Sequence, residues 1–163
     1  MSAAITPAGG LDVVVNAVGF VAFGQIEELT LDTLEDLFVT NTFVAISLAQ
    51  AALRSMREGG VIVKISGVIA EQNLPGMAAY GASKAAVRSF DQALALEARR
   101  RKIRVIDARP PHTDTGLARH PIEGQAPKMG VGLDPATVAA TICDAIAGDV
   151  VDFPSTAFGS FGG

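Results

Sequence analysis

The chain has 163 residues, a formal net charge of −4, 49% hydrophobic residues and 18% charged residues. This length and composition exclude a disordered chain and predict one domain with a sizeable core. The small acidic excess argues against a nucleic-acid partner, which would need a basic face. The single cysteine, Cys143, excludes an internal disulfide and a multi-cysteine metal site, so we expect a reducing compartment. The first residues lack the pattern of a signal peptide, which favours a cytoplasmic location.

The first half of the chain predicts one strand followed by one long helix. Residues 11–19 form a β-branched run that ends in a glycine, which is typical of a strand buried on both faces. Thr30 is a suitable helix N-cap with Asp32 in the first turn, and the helical pattern continues to about Arg57, with a bend midway allowed. Its uncharged part, 37–53, contains polar residues and falls short of the roughly 20 apolar residues of a membrane span. We therefore expect a buried helix and no membrane association.

The second half of the chain alternates strands with helices. The predicted elements are strands at 61–66 and 103–108, helices at 77–100 and 135–147, and a short strand at 150–153. Pro110 and Pro111 end one strand and open a loop, and Asp134 with Pro135 begins the last helix as an N-cap and N1 pair. Cys143 occupies an apolar position of that helix, which predicts burial. The alternation indicates an α/β fold with a parallel sheet, in one domain.

The strongest chemical signal is the sequence YGASK at the start of the second long helix. A spacing of four residues on a helix puts Tyr80 and Lys84 on one face, where the ammonium group can lie beside the phenol. A neighbouring cation stabilises the phenolate, which would lower the phenol pKa from about 10 and make it useful as an acid or base. The small residues between them predict room for a ligand. The alternative, a tyrosine at a helix start and a solvated lysine, stays open on this motif alone.

Four segments, in chain order, resemble the classical short-chain dehydrogenase/reductase family. They are LDVVVNAVG, VTNTFVAISLAQAAL, VIVKISG with YGASKAA, and IRVIDARPPHTDT. The resemblance implies a partial Rossmann-like fold, which is a doubly wound parallel sheet with helices on both faces. It also implies an oxidoreductase that interconverts a carbonyl and an alcohol of a small molecule with NAD or NADP, and a homo-oligomer formed through the two long helices.

The resemblance assigns a catalytic role to three residues. Tyr80 would exchange a proton with the substrate oxygen. Lys84 would lower the Tyr80 pKa and hold the ribose hydroxyls of the cofactor, and Asn41 would anchor a water that relays protons to Lys84. The protein would then supply general acid–base catalysis while the cofactor carries the hydride. Asn41 could instead be a polar residue satisfied inside a packed helix.

Four further residues match positions that border the cofactor in this family. Asn16 and Gly19 match the first Asn and the Gly of the NNAG motif, although Asn16 could equally be a strand-end cap. Pro110 and Thr115 match the residues beside the nicotinamide. Pro111 replaces the usual glycine of that turn, so the turn must differ locally because proline fixes φ near −65°. The loop that follows, which contains Met129, would shape the substrate pocket.

Two departures from the family pattern bear on activity. Gly67 stands at the position of the catalytic serine, which normally orients the substrate carbonyl, and Ser66 beside it would point to the opposite face of a strand. No glycine-rich turn that could hold a pyrophosphate is apparent in the sequence. We therefore expect residues 1–163 to be an N-terminally truncated domain, whose first strand has an unpaired edge that favours self-association.

These departures leave a second hypothesis beside the enzyme. The chain could be a catalytically inactive remnant of the family that acts only as a dimerisation or interaction module. Metal binding is not expected, because His112 and His120 have no further ligand at a suitable spacing.

Overall fold

The structure is a computed structural model that describes residues 10–159. Its centre is a parallel sheet of three strands in the order β1-β2-β3. The strands are β1 (Leu11–Asn16), β2 (Met56–Ile65) and β3 (Arg104–Ala108). The helices are α1 (Leu31–Phe38), α2 (Val44–Ser55), α3 (Ala78–Ala98) and α4 (Pro135–Ala147). The predicted α/β class and parallel sheet are confirmed.

The two faces of the sheet bury alternate residues of each strand, as a period of two requires. Ile62 and Val105 pack against α2 and α3 on one face. Val61, Val63 and Ile106 pack against α4 on the other face. Helices on both faces of a parallel sheet give the layered arrangement that the sequence predicted.

Strand β1 departs from the prediction of a strand buried on both faces. Val13 and Val15 are 42% and 48% exposed. Their partners across the ladder are Val61 and Val63, which α4 covers, but α4 does not reach β1. Within residues 10–159 no strand pairs with the outer edge of β1.

The long helix predicted after Thr30 is one helical stretch interrupted by a π-helical turn. The hydroxyl oxygen of Thr30 accepts a hydrogen bond from the Thr33 N–H at 3.2 Å, as an N-cap does. Residues Val39–Phe43 then form a π-helix between α1 and α2. The stretch Leu31–Ser55 is long and apolar enough to cross a membrane by composition. One face, which includes Leu37, Ala45 and Ala49, is buried inside the fold, whereas Val39, Phe43 and Val44 are exposed, so the helix is only partly buried and not buried as predicted.

The end of the chain confirms one predicted boundary and corrects two predictions. Asp134 caps α4 by accepting from the Thr137 N–H at 2.8 Å, and Pro135 is its first residue. The short strand predicted at 150–153 is reduced to one bridge between Ala108 and Phe153. Cys143 is exposed, because α4 turns Val138, Ile142 and Ala145 to the sheet and the cysteine to the other side. The prediction of a buried cysteine is therefore wrong.

Candidate active site

The candidate residues gather at the carboxyl ends of the three strands. Asn16 is the last residue of β1, Ser66 follows β2, and Pro110 follows β3. Parallel strands end at the same edge of a sheet, which is where ligands of open α/β folds bind. The first turns of α3 lie over this edge, because the Lys84 side chain reaches the carbonyl of Ile65.

Tyr80 lies in the first turn of α3 and packs in a small apolar cluster. The cluster contains Ala22, Leu37 and Ala79, with Ile122 against it. Ile122 arrives from the loop between β3 and α4, where its N–H donates to the Val21 carbonyl at 2.9 Å. The long loop is thereby tied to the segment that follows β1. Tyr80 and Ile122 therefore pack against the same cluster.

Burial shifts the pKa values of both Tyr80 and Lys84. Burial raises the pKa of Tyr80 to about 12, whereas the resemblance implied a pKa lowered by Lys84. Burial lowers the pKa of Lys84 to about 8, and the carboxylate of Asp107 opposes that change. The direction of this change is opposite to the expected one, and its cause is the loss of hydration on burial. Tyr80 is a protonated phenol at neutral pH.

Lys84 is held in place by one hydrogen bond and by a close approach of the chain. Its Nζ donates to the Ile65 carbonyl at 3.0 Å, and 6% of the residue is exposed. The backbone at Gly19 passes so near that a Cβ there would lie 3.1 Å from Lys84 Nζ and 3.1 Å from Asn41 Oδ1. A side chain at position 19 would push these groups apart. Gly19 therefore belongs to the site, because its lack of a side chain leaves room for Lys84 Nζ and Asn41 Oδ1.

Asn41 lies in the π-helical turn and is 2% exposed. Its Oδ1 accepts from the Phe20 N–H at 2.8 Å, and its Nδ2 donates to the Phe20 carbonyl at 3.0 Å. The second Nδ2 hydrogen goes to Ser83 Oγ at 2.9 Å. Both amide hydrogens are therefore used by the protein, which fits the alternative of a satisfied core polar residue at least as well as a water anchor. π-Helical turns often occur at functional sites.

The serine position of the family pattern is occupied differently here. Gly67 has φ +82°, in the left-handed region that favours glycine, and a Cβ there would meet only the Pro110 carbonyl, at 3.7 Å. Ser66 is 1% exposed and its hydroxyl donates to the carboxylate of Asp107. The expectation that Ser66 does not replace the missing serine agrees with this contact.

The residues expected beside the cofactor are distributed unequally. Asn16 is buried and its Oδ1 accepts from the Val18 N–H at 3.0 Å, which is a strand-end cap. Pro110 is buried and its carbonyl accepts from the Val68 N–H at 2.9 Å, next to Gly67. Thr115 is exposed, and its hydrogen bonds are to residues of its own turn. The structure thus brings Asn16, Gly19 and Pro110 to the strand ends, with Thr115 farther along the loop.

A buried charged network lies beneath α3 and was not predicted from the sequence. Lys64 forms an ion pair with Asp91, and Arg109 forms ion pairs with Asp107 and two other carboxylates. Lys64, Asp91 and Arg109 are each 97% or more buried. The signal was present as charged residues inside the apolar runs VIVKIS and IRVIDA. Charges inside predicted buried strands need partners, and that rule would have found the network.

The burial of Ser83 was also not predicted from the sequence. It was interpreted as one of three small residues that leave room for a ligand, but it is completely buried, and Gly81 is filled by the Asn73 side chain. Only Ala82 of the three is exposed. The prediction of free space is wrong at Gly81 and Ser83, because these residues face the interior where other segments pack on α3.

A cavity of about 550 Å³ lies away from this site. It runs along α3 and the outer edge of β3, and its lining includes Arg88, Asp91 and Val105 but neither Tyr80 nor Lys84. A smaller cavity of about 200 Å³ lies within the long loop and includes His112 and Met129. Neither of these two cavities is lined by Tyr80 or Lys84.

Comparison with known proteins agrees with this geometry. The family model of the short chain dehydrogenases matches residues 1–126. An uncharacterized oxidoreductase of Methylorubrum extorquens is 37% identical over 105 residues, which cover 64% of this chain and 42% of that protein. The 2,3-dihydro-2,3-dihydroxybenzoate dehydrogenase of Escherichia coli is 34% identical over 111 residues, covering 67% of this chain and 45% of that protein.

The fold is also found among solved structures. A short chain dehydrogenase from Burkholderia cenocepacia in complex with NADP has a TM-score of 0.77 and 28% sequence identity, and the match covers 92% of this chain and 66% of that one. The chain spans less than half the length of the two curated relatives described above. The family match over residues 1–126 and the shared fold lead to one conclusion. The chain belongs to the short-chain dehydrogenase family.

Proposed function

We propose that the chain carries the catalytic part of a nicotinamide-dependent oxidoreductase that interconverts a carbonyl and an alcohol of a small molecule, with Tyr80 as the acid and base. The observation that carries the proposal is the arrangement of three side chains. Tyr80 and Lys84 lie one helical turn apart on α3, and Asn41 is tied to the same turn through Ser83. All three lie at the carboxyl edge of the sheet, over the ends of parallel strands.

The residues at this edge fit one half of a nicotinamide dinucleotide. Lys84 uses one of its three donor hydrogens on the Ile65 carbonyl, so two remain for ribose hydroxyls. Gly19 keeps the chain close to Lys84 without a side chain in the way. Within residues 10–159 no glycine-rich turn joins a strand to a helix, so these residues do not supply a pyrophosphate grip. When bound, such a dinucleotide would supply or accept the hydride of the reaction.

The protonated phenol of Tyr80 suits the role of proton donor to a carbonyl oxygen. With a pKa of about 12 the phenol keeps its proton at neutral pH, and it can donate that proton to a carbonyl oxygen as the oxygen gains charge. The ammonium group of Lys84 would then stabilise the phenolate that remains. In the opposite direction the phenolate would take the proton of the alcohol. The Tyr80 side chain thus moves one proton and Lys84 carries the compensating charge.

Titration of the chain with NADPH and NADH, followed by the fluorescence of the dinucleotide, tests the proposal. We expect the wild type to bind a dinucleotide, and Lys84→Met to bind it more weakly. Tyr80→Phe should retain binding and lose reduction of carbonyl compounds by roughly 10²-fold or more, since it removes only the proton donor. Binding of neither dinucleotide at millimolar concentration would overturn the proposal.

One observation favours the second candidate, a non-catalytic interaction module. Gly67 supplies no hydroxyl to orient a carbonyl, and the hydroxyl of Ser66 is bound to Asp107. Loss of one such donor costs about 10²- to 10³-fold in rate. Two results together would favour this candidate over the enzyme. The chain would bind a dinucleotide in a way that Lys84→Met abolishes, and it would reduce no carbonyl compound in a broad panel.

A further inference from the structure

Ser83 lies at the centre of the contacts between the π-helical turn and α3. It is completely buried, and its hydroxyl makes two hydrogen bonds. Ser83 Oγ donates to the Tyr80 carbonyl at 2.7 Å and accepts from Asn41 Nδ2 at 2.9 Å. Because a hydroxyl has one hydrogen and that hydrogen goes to Tyr80, the direction of the chain of bonds is defined. It runs from the Asn41 amide through Ser83 to the backbone of Tyr80.

The Asn41 side chain has both of its amide hydrogens in use. The other hydrogen of Asn41 Nδ2 goes to the Phe20 carbonyl, and Asn41 Oδ1 accepts from the Phe20 N–H. Asn41 is thus fixed on the segment after β1, and Ser83 transfers that position to the first turn of α3. A hydrogen-bonded network inside a protein orients its members, and losing one member leaves the next group unsatisfied. The Ser83 hydroxyl therefore connects the Tyr80 turn, through Asn41, to the segment after β1.

We propose that Ser83 is a positioning residue for Tyr80. Its hydroxyl holds the first turn of α3 so that the Tyr80 side chain stays packed against the cluster of Ala22, Leu37 and Ala79. The inference rests on the proposed function for its catalytic meaning, but the positioning itself is a property of the fold. Without the hydroxyl, the Tyr80 turn loosens, water reaches the ring, and the phenol titrates nearer to its ordinary value.

A matched control lies one contact away. Thr42 Oγ1 donates to the Ser83 carbonyl at 2.9 Å, so it joins the same π-helical turn to the same helix but does not touch Tyr80 or the Asn41 amide. Thr42→Val removes one hydroxyl and one buried hydrogen bond with little change in shape. If the Ser83 hydroxyl only held the π-helical turn and α3 together, Thr42→Val and Ser83→Ala would therefore have similar effects on the Tyr80 titration.

The experiment uses the composition of the chain, which has one tyrosine and no tryptophan. The absorbance of the phenolate, followed against pH, therefore reports Tyr80 directly in the full chain without any dinucleotide. In Ser83→Ala we expect the titration midpoint to fall by about one pH unit from the wild-type value, since roughly half of the burial effect would be lost. Thr42→Val should titrate like the wild type.

A second variant covers the case in which Ser83→Ala does not fold. Ser83→Cys keeps a side chain of similar size with a weak donor, so a smaller fall in the same direction is expected. A wild-type midpoint in the folded serine variants, or an equal fall in Thr42→Val, would overturn the positioning role. Failure of NADPH to bind the wild type, with these titrations as expected, would overturn the proposed function alone.

Discussion

The hydroxyl of Ser66 donates a hydrogen bond to the carboxylate of Asp107, beneath α3. The same carboxylate accepts from Arg109 at 2.9 Å and favours the charged form of Lys84. Ser66, which precedes Gly67, therefore belongs to a buried charged network and not to the substrate side of the site. Asp107 links that network electrostatically to Lys84.

The burial of Lys84 predicts that this residue lowers the stability of the fold. Its pKa of about 8 lies below the ordinary value of 10.5, so the folded state loses free energy wherever the amine is charged. We expect Lys84→Met to raise the free energy of unfolding at pH 7 by about 1–3 kcal/mol, after the loss of the bond to Ile65. The advantage of the variant should shrink as pH rises from 8 to 10.5, because the unfolded state then binds more protons than the folded state. Urea unfolding at several pH values measures this, with the exposed Lys102→Met as the control.

The same pKa predicts the pH dependence of dinucleotide binding under the proposed function. The ammonium form of Lys84 would donate to ribose hydroxyls, and that form is lost as pH rises through about 8. The affinity for NADPH should therefore fall above pH 8, whereas the weaker binding of Lys84→Met should vary much less there. A wild-type affinity that is constant between pH 7 and 10 would contradict a role for the Lys84 charge.

A hydroxyl restored at position 67 should cost stability. Gly67 adopts φ +82° and ψ 164°, a region that is occupied almost only by glycine, so a residue with a Cβ there loses roughly 1–3 kcal/mol. Gly67→Ala and Gly67→Ser should both lower the unfolding free energy by about this amount, because the backbone strain is the same and a Cβ would meet only the Pro110 carbonyl, at 3.7 Å. The serine variant should then exceed the alanine variant in carbonyl reduction if the hydroxyl reaches the substrate. Equal rates in the two variants would show that the position does not face the reacting group.

The Lys64–Asp91 pair predicts a strong dependence of each partner on the other. Lys64 is 1% exposed and lies over the Phe90 ring at 4.1 Å, and one oxygen of Asp91 is buried without a partner among the described residues. Lys64→Met leaves a buried carboxylate unpaired, which costs about 3–5 kcal/mol. The double variant Lys64→Met with Asp91→Leu should recover most of that loss. A double variant as unstable as the single one, in thermal unfolding, would contradict this.

Local sequence patterns predicted the elements well. The caps at Thr30 and Asp134 and the Tyr80–Lys84 spacing are encoded by neighbouring residues, and the structure has helices where these patterns indicate them. The misses depend on distant segments. Cys143 and Val15 are exposed because α4 covers only part of the sheet, and the pKa of Tyr80 is raised by residues that arrive from other parts of the chain. No local pattern reports such long-range burial.

The π-helical turn at Val39–Phe43 amounts to a one-residue insertion that the fold depends on. Thr33 and Ala49 are both buried, yet in a regular α-helix they would lie about 160° apart around the axis. Discounting one extra residue brings them within about 60° of each other. Deletion of a single residue from this turn would make the helix regular and rotate α2 by about 100° relative to α1. A reading-frame-preserving loss of one codon here would therefore be more damaging than most substitutions in the same helix.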